Sequence, residues 1–391
     1  MEKIRYGIVG LGNQGTAYAK EFFVKEQVAN AVLTAVCDND PKKVEIFTAN
    51  VTDKVKVYSD YKEMINSGEI DAVLVETPHY KHPEIVIYAL QNGVHALCDK
   101  PAGVYTKQVK EMNAVAEKSN KLFGMMFNQR ANCLYRKMRE LIKSGEIGEI
   151  FRVNWIITDW YRNQKYYDSG SWRATWKEEG GGVLINQCPH QLDLVSWVTG
   201  MQPKEVTGFV KYGNFHDIEV EDEVTAYFEY ENGASGVFIT TTGEWPGTNR
   251  FEVSGTLGKI LCENNKLILS KNSEDTREFI KNHDVPFGSP KVEVSEVETD
   301  GENLQHLAIV RNFTNAILGK EELFVTGKEG INGVELMNAI ELSGFLNGKR
   351  VSIPVDEKKY LKELNKRCKK SKSKVVTEVI VADTKGTYGS R

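Results

Sequence analysis

The 391-residue sequence predicts an α/β domain built on a parallel sheet, followed by an α+β domain with a large, open and mostly antiparallel sheet. Three observations carry that prediction. The apolar run Ile4–Val9 leads directly into Gly10-Leu11-Gly12-Asn13-Gln14-Gly15. Short apolar runs then alternate with segments of helical periodicity as far as about residue 128. From about residue 149 the chain turns to long alternating segments separated by Asn-Gly, Gly-Thr and similar turn signals. Length agrees, because single cores rarely grow much beyond about 250 residues. The expected division is 1–128 and 129–354, with a basic tail at 355–391.

The strand Ile4–Val9, the glycine motif, an amphipathic segment at 17–24, the strand Ala31–Cys37 and the acid Asp38 form one βαβ unit. Its size and order are those of a dinucleotide-binding Rossmann unit. Gly10 permits the tight turn, Gly12 lets the backbone approach a pyrophosphate, and Gly15 lets the helix pack on the strand. Asn13 and Gln14 open that helix, whose N-terminal amides face the phosphates. A helix packed tightly on a strand with no ligand is the plainer reading of the same glycines. Asp38 can accept hydrogen bonds from both ribose hydroxyls and would repel a 2′-phosphate, so NAD is expected as cofactor. Lys42 and Lys43 lie close enough to keep NADP as the less favoured alternative.

Next come a helix at 41–50, a strand at 55–58, a helix at 61–67 and a strand at 72–76 that ends at Thr77-Pro78, with His79 and His82 just beyond. A helix at 83–92 leads to the strand His95–Cys98, which ends at Asp99-Lys100-Pro101. A helix at 107–119 and a strand at 122–127 complete six strands, and Asn128, Gln129 and Arg130 follow. Ligands of parallel sheets lie at the strands' carboxyl ends, so Thr77, Pro78, His79, His82, Asp99, Lys100, Asn128 and Gln129 are expected to border the cofactor, and Arg130 with them. A plain hinge would also account for 128–130.

In the second domain, strands are expected at 151–158, 219–230, 234–242, 251–255 and 266–271, and helices at 183–198, 304–318 and 333–346. An antiparallel sheet can leave one face uncovered for a second subunit, so a homodimer or homotetramer is expected. The lysine-rich tail reads as a solvated helix end, with 375–382 able to add a strand to a neighbour's edge.

Composition excludes several classes. A net charge of −4 gives no electrostatic reason for a nucleic-acid partner. No apolar run approaches the roughly 18 residues of a membrane span, and a first strand at Ile4 leaves no room for a secretory signal, so the cytoplasm is expected. Six cysteines (Cys37, Cys98, Cys133, Cys188, Cys262, Cys368) without CxxC spacing read as buried thiols rather than a zinc site or disulfides, and no metal is expected.

Lys100 is the leading catalytic candidate, since a strand end followed by proline projects its amine into the cofactor crevice. A general base works best near ambient pH, so its surroundings must destabilise the ammonium form. A lysine paired with a carboxylate or phosphate is the alternative. Downstream of Gly180-Gly181-Gly182, a helix would put Asn186, His190 and Asp193 on one face at i, i+4 and i+7. A buried, satisfied histidine is the simpler account of His190. Between 155 and 176 lie Trp155, Trp160, Trp172 and Trp176, four of the chain's six tryptophans, with Tyr161, Arg162, Tyr166, Tyr167, Asp168 and Arg173. Aromatic faces stack on sugar rings while arginine and aspartate bind hydroxyls, so a carbohydrate or cyclitol substrate is expected, with Trp160, Asp168, Trp172 and Arg173 at the site. Packing of the sheet would use the same aromatics.

From Ile4 to about Pro354 the chain resembles the glucose-fructose oxidoreductase and inositol dehydrogenase (Gfo/Idh/MocA) family, through the glycine motif, Thr77-Pro78 with His82, Lys100-Pro101 and the glycine-rich lead into the His190 segment. The resemblance implies that Lys100 is the acid/base residue and that His190 assists it at the substrate hydroxyl. It implies an NAD-dependent dehydrogenase of a sugar, sugar derivative or inositol. The chain departs from the pattern twice: Asp99 stands for the usual glutamate, and Asn186 for a frequent aspartate four residues before the histidine. An amide can hold a hydroxyl but cannot take its proton. Two other readings stay open: a redox-neutral, NAD-dependent glycoside-cleaving enzyme that passes through a keto-sugar, and a non-catalytic NAD-binding sensor.

Overall fold

The computed structural model describes residues 3–51, 55–372 and 374. Strands β1 (Ile4–Val9), β2 (Ala31–Cys37), β3 (Lys56–Tyr58), β4 (Ala72–Val75), β5 (His95–Cys98) and β6 (Phe123–Met125) form a wholly parallel sheet in the order β3-β2-β1-β4-β5-β6. The chain runs outward from β1 to β3 and then crosses back to β4, so a crevice opens between the carboxyl ends of β1 and β4. Helices cover both faces of such a sheet, which is why β4 is buried along its whole length. One cover comes from late in the chain. The helix His306–Ile317 lies on this sheet, with the Tyr6 hydroxyl 2.8 Å from Thr314 Oγ1.

The second sheet has nine strands: β7 (Ile150–Ile157), β8 (Glu205–Tyr212), β9 (Glu221–Glu229), β10 (Ser235–Thr241), β11 (Asn249–Gly255), β12 (Gly258–Glu263), β13 (Lys266–Asn272), β14 (Val292–Glu296) and β15 (Val351–Ser352). Their order is β14-β13-β12-β11-β7-β10-β9-β8-β15. Every neighbouring pair is antiparallel except β7 with β10. The inner face buries a stack of Trp155 on Phe251, rings 4.1 Å apart, with Tyr135 of the helix Cys133–Lys143 against it. Phe209 and Tyr227 stand exposed on the other face.

Two expectations change in detail. The helix expected at 183–198 is two helices, Val183–Asn186 and Pro189–Thr199. Pro189 disfavours helical backbone at Cys188 and has no N–H to give the preceding turn. The tail helix Glu357–Cys368 is docked rather than free, burying Tyr360 and Leu364, because its apolar residues share one face. The strand expected at 375–382 lies outside the described residues. All six cysteines are free thiols. Among the described residues no helix is long and apolar enough to cross a membrane.

Candidate active site

The glycine motif turns where β1 meets β4. Gly10 has φ +102°, and a Cβ there would lie 2.4 Å from Glu76 O; a Cβ on Gly15 would lie 2.0 Å from Gly10 O. Gly12 faces open space instead, so backbone is all that borders the crevice at that point. Asp38, at the end of β2, accepts the Leu11 N–H at 2.7 Å on Oδ2 and the Asp40 N–H at 2.9 Å on Oδ1. Lys43 Nζ stands 3.8 Å from the same carboxylate. Thr77 Oγ1 and Asn128 Oδ1 are buried with no hydrogen-bond partner. A bare backbone turn, a fixed acid at the second strand end and orphaned polar atoms along the crevice together fit a dinucleotide.

The other strand-end residues divide. Asp99 Oδ1 takes the Lys100 N–H at 2.7 Å, and Glu76 sits at the adjacent strand end. Burial first, then the charge of Asp99, holds the Glu76 carboxyl well above the usual range. Both ring nitrogens of His82 face main-chain carbonyls, Pro101 O at 2.8 Å and Thr77 O at 2.6 Å, and with burial holding the ring neutral its single N–H donates to one of them at a time. His79 Nδ1 lies 3.2 Å from Glu179 O, and its ring meets Trp172 edge-on at 5.7 Å. Asn128 Nδ2 donates to Gln305 Oε1 at 2.8 Å, and Gln129 Oε1 accepts from Gln191 at 3.0 Å. Pro78 is exposed, as is Asn13, while Gln14 is half-buried.

Lys100 reaches across to the second domain, its Nζ donating to Asn186 O at 2.7 Å. Burial lowers its pKa, against the opposing pull of Asp99 and Glu179. His190 is 7% exposed, and burial, then Lys100 and His306, hold it well below the usual imidazole value. It is therefore neutral, and its Nδ1 is buried without a partner. Burial lowers His306 to about 4. Asn186 joins this group through its side chain: Nδ2 donates to Glu179 Oε1, while Oδ1 accepts from the Tyr166 hydroxyl at 3.1 Å and Gln187 Nε2 at 3.0 Å. Arg173 Nη1 donates to the Tyr166 hydroxyl at 2.9 Å, and its guanidinium lies 4.6 Å and 4.7 Å from the Tyr166 and Trp172 ring centres. Trp160 presents a buried, unpartnered Nε1.

Several expected residues lie elsewhere. Arg130 is 1% exposed and does not border the crevice. Its fork meets Asp193 at 2.6 and 2.8 Å and Glu329 at 2.8 Å, between the rings of Phe127 and Trp197. Asp193 thus serves a buried ion pair, on the helix Pro189–Thr199 rather than on the one that carries Asn186. Asp168 is exposed and bonds Gln164 at 3.1 Å. Trp155 and Trp176 are core residues. Glu76, Glu179, Gln187 and His306 belong to the cluster without having been singled out by the sequence. Glu179 carried one signal, an acid directly before a glycine run. Among the described residues no group of three or more His, Cys, Asp or Glu is placed to hold a metal ion.

Two family models match the chain: the oxidoreductase family NAD-binding Rossmann fold over residues 4–127, and the GFO/IDH/MocA C-terminal domain over 135–261. An uncharacterized oxidoreductase from Streptococcus pneumoniae is 30% identical over 234 residues, 59% of this chain and 60% of that protein, so the chain spans about three fifths of that relative's length. Myo-inositol 2-dehydrogenase from Thermotoga maritima is 25% identical over 270 residues, 67% of this chain and 75% of that protein. Among solved structures, the WlbA dehydrogenase from Chromobacterium violaceum, in complex with NADH and UDP-GlcNAcA, superposes with a TM-score of 0.76 at 26% identity, covering 91% of this chain and 97% of that one.

Proposed function

The chain belongs to the Gfo/Idh/MocA family of oxidoreductases, and on that premise we propose that it oxidises a hydroxyl of a sugar, sugar derivative or inositol, with Lys100 as the acid/base group. The observation that carries this reading is the meeting of Lys100 Nζ with Asn186 O at 2.7 Å, beside a neutral His190 whose Nδ1 has no protein partner. Gly10, Gly12, Gly15 and Asp38 would hold the adenosine half of NAD, with Thr77 and Asn128 nearer its other end. Bound NAD supplies the acceptor for the hydride that leaves the substrate carbon. Lys100, its ammonium form disfavoured by burial, takes the proton from the hydroxyl on that carbon as the carbonyl forms. His190 holds the same hydroxyl without adding a second positive charge. Trp172, lined by the Arg173 guanidinium, would offer an aromatic face to a sugar ring, and the Gln187 Oε1, buried without a protein partner, would accept from a ring hydroxyl.

The test is absorbance at the NADH band with NAD and a panel of sugars, inositols and glycosides, with product analysis of the same wells. One substrate class should give growing NADH, and Lys100→Met should lower turnover by about 100- to 10,000-fold while binding NAD normally. Turnover surviving in that variant would overturn the assignment of Lys100. Cleaved glycoside with no NADH would overturn net oxidation.

A further inference from the structure

Asn186 cannot take a proton, yet the site is not short of a carboxylate. Glu179 is 2% exposed, and its two oxygens accept the Asn186 Nδ2–H and the Ala174 N–H. The bonds around it run in one direction: Arg173 Nη1 donates to the Tyr166 oxygen, the Tyr166 hydroxyl to Asn186 Oδ1, and Asn186 Nδ2 to Glu179 Oε1. This is a guanidinium–carboxylate pair bridged by a phenol and an amide. The amide suits the bridge because it accepts at one end and donates at the other. An aspartate at 186 would set two buried acids against each other.

We propose that Glu179 is the carboxylate of this site, a positioning residue that fixes Asn186, on whose carbonyl the Lys100 amine rests. The proposal rests on Lys100 being the acid/base group. Glu179 draws Lys100 toward the ammonium form and is itself drawn down by it and by Arg173, although burial outweighs both and raises its pKa. On the adjacent side, burial and then the charge of Glu179 raise the Glu221 carboxyl to about 7. Lys100 also faces Asp99, Glu76 and the guanidinium of Arg173. Its remaining neighbours are uncharged at neutral pH: His79, His82, His190 and His306 are all lowered by burial, and the Cys188 thiol is pushed up to about 12. Glu179 is thus the acid that couples the proton affinity of Lys100 to the Asn186 bridge.

The experiment measures the pH midpoint of Lys100 acetylation by acetic anhydride, read by peptide mass spectrometry on the whole folded protein, which needs no substrate. Removing a nearby negative charge disfavours the ammonium form, so Glu179→Gln should lower the midpoint by about one unit. The double variant E179Q/N186D, which returns one carboxylate to the other end of the bond, should bring the midpoint back toward wild type and regain about tenfold in turnover over E179Q. A purely structural Glu179 would reduce folding or turnover without moving the midpoint. An unmoved midpoint in folded E179Q, or no recovery in the double variant, overturns the proposal. Activity retained in Lys100→Met would instead sink the reading beneath it.

Discussion

Gly12 and Gly15 are three residues apart in one motif, and the structure assigns them different work that alanine can separate. A Cβ on Gly15 falls 2.0 Å from Gly10 O, far inside contact distance and against backbone that cannot rotate away. The helix must move off β1, and overpacking of this kind costs about 1–3 kcal/mol. At roughly 2–4 °C per kcal/mol, Gly15→Ala should lose about 2–12 °C in melting temperature. Gly12 has φ −66° and nothing within 4 Å of its absent Cβ, so Gly12→Ala should melt within about 2 °C of wild type. Its methyl would nevertheless stand between the backbone and an approaching pyrophosphate. Loss of one or two charge-assisted bonds, about 1.5–3 kcal/mol, raises the NAD dissociation constant about 10- to 100-fold. Thermal unfolding with titration calorimetry of NAD reads both quantities. A Gly12→Ala protein that binds NAD as tightly as wild type would refute the placing of the phosphates at this turn.

Asp38→Ser should narrow the preference for NAD over NADP by about tenfold or more, because the carboxylate that repels a 2′-phosphate goes and Lys43, 3.8 Å away, is freed to face it. Dissociation constants for both cofactors measure this, and unchanged discrimination would count against Asp38 as the selector. His306, lowered to about 4 from 6.5, is neutral in the folded chain. Below pH 6.5 the unfolded chain takes up the proton first, so this histidine costs stability as pH falls toward 4, by up to about 3 kcal/mol. Glu221, raised to about 7, acts in the opposite sense over much of the window, so the comparison is with His306→Gln, which keeps every other group. Urea unfolding from pH 7 to 4 should show wild type losing stability relative to the variant; parallel curves would show His306 is not buried neutral.

The first domain was legible nearly strand by strand, because parallel strands buried on both faces are written as apolar runs and the turns between them carry glycine, proline and caps. β1, β2 and β5 stand where the sequence put them. The second sheet was legible in kind but not in order. Alternation marks a strand without naming its neighbour, so the parallel pairing of β7 with β10 could not be read. Nor could the exposed strand β14, whose short Val292/Val294 alternation buries neither valine.

The polar positions Asn186, His190 and Asp193 show why a correct motif can still misassign its members. Their spacing implied one helix face and hence one site. The proline between them divides the helix, and each residue follows the charge it can reach. Asp193, deep in the second domain, meets Arg130 and settles as a buried ion pair; removing either partner of such a pair strands a charge and typically costs about 3–5 kcal/mol. His190 finds no partner for Nδ1 and stays neutral beside Lys100. Asn186 turns its amide to Glu179, a residue outside the helix altogether. Sequence spacing can state which side chains leave one helix together. It carries no record of the acid or guanidinium arriving from another segment, and in this fold those arrivals decide which polar group packs the core and which is left facing the lysine.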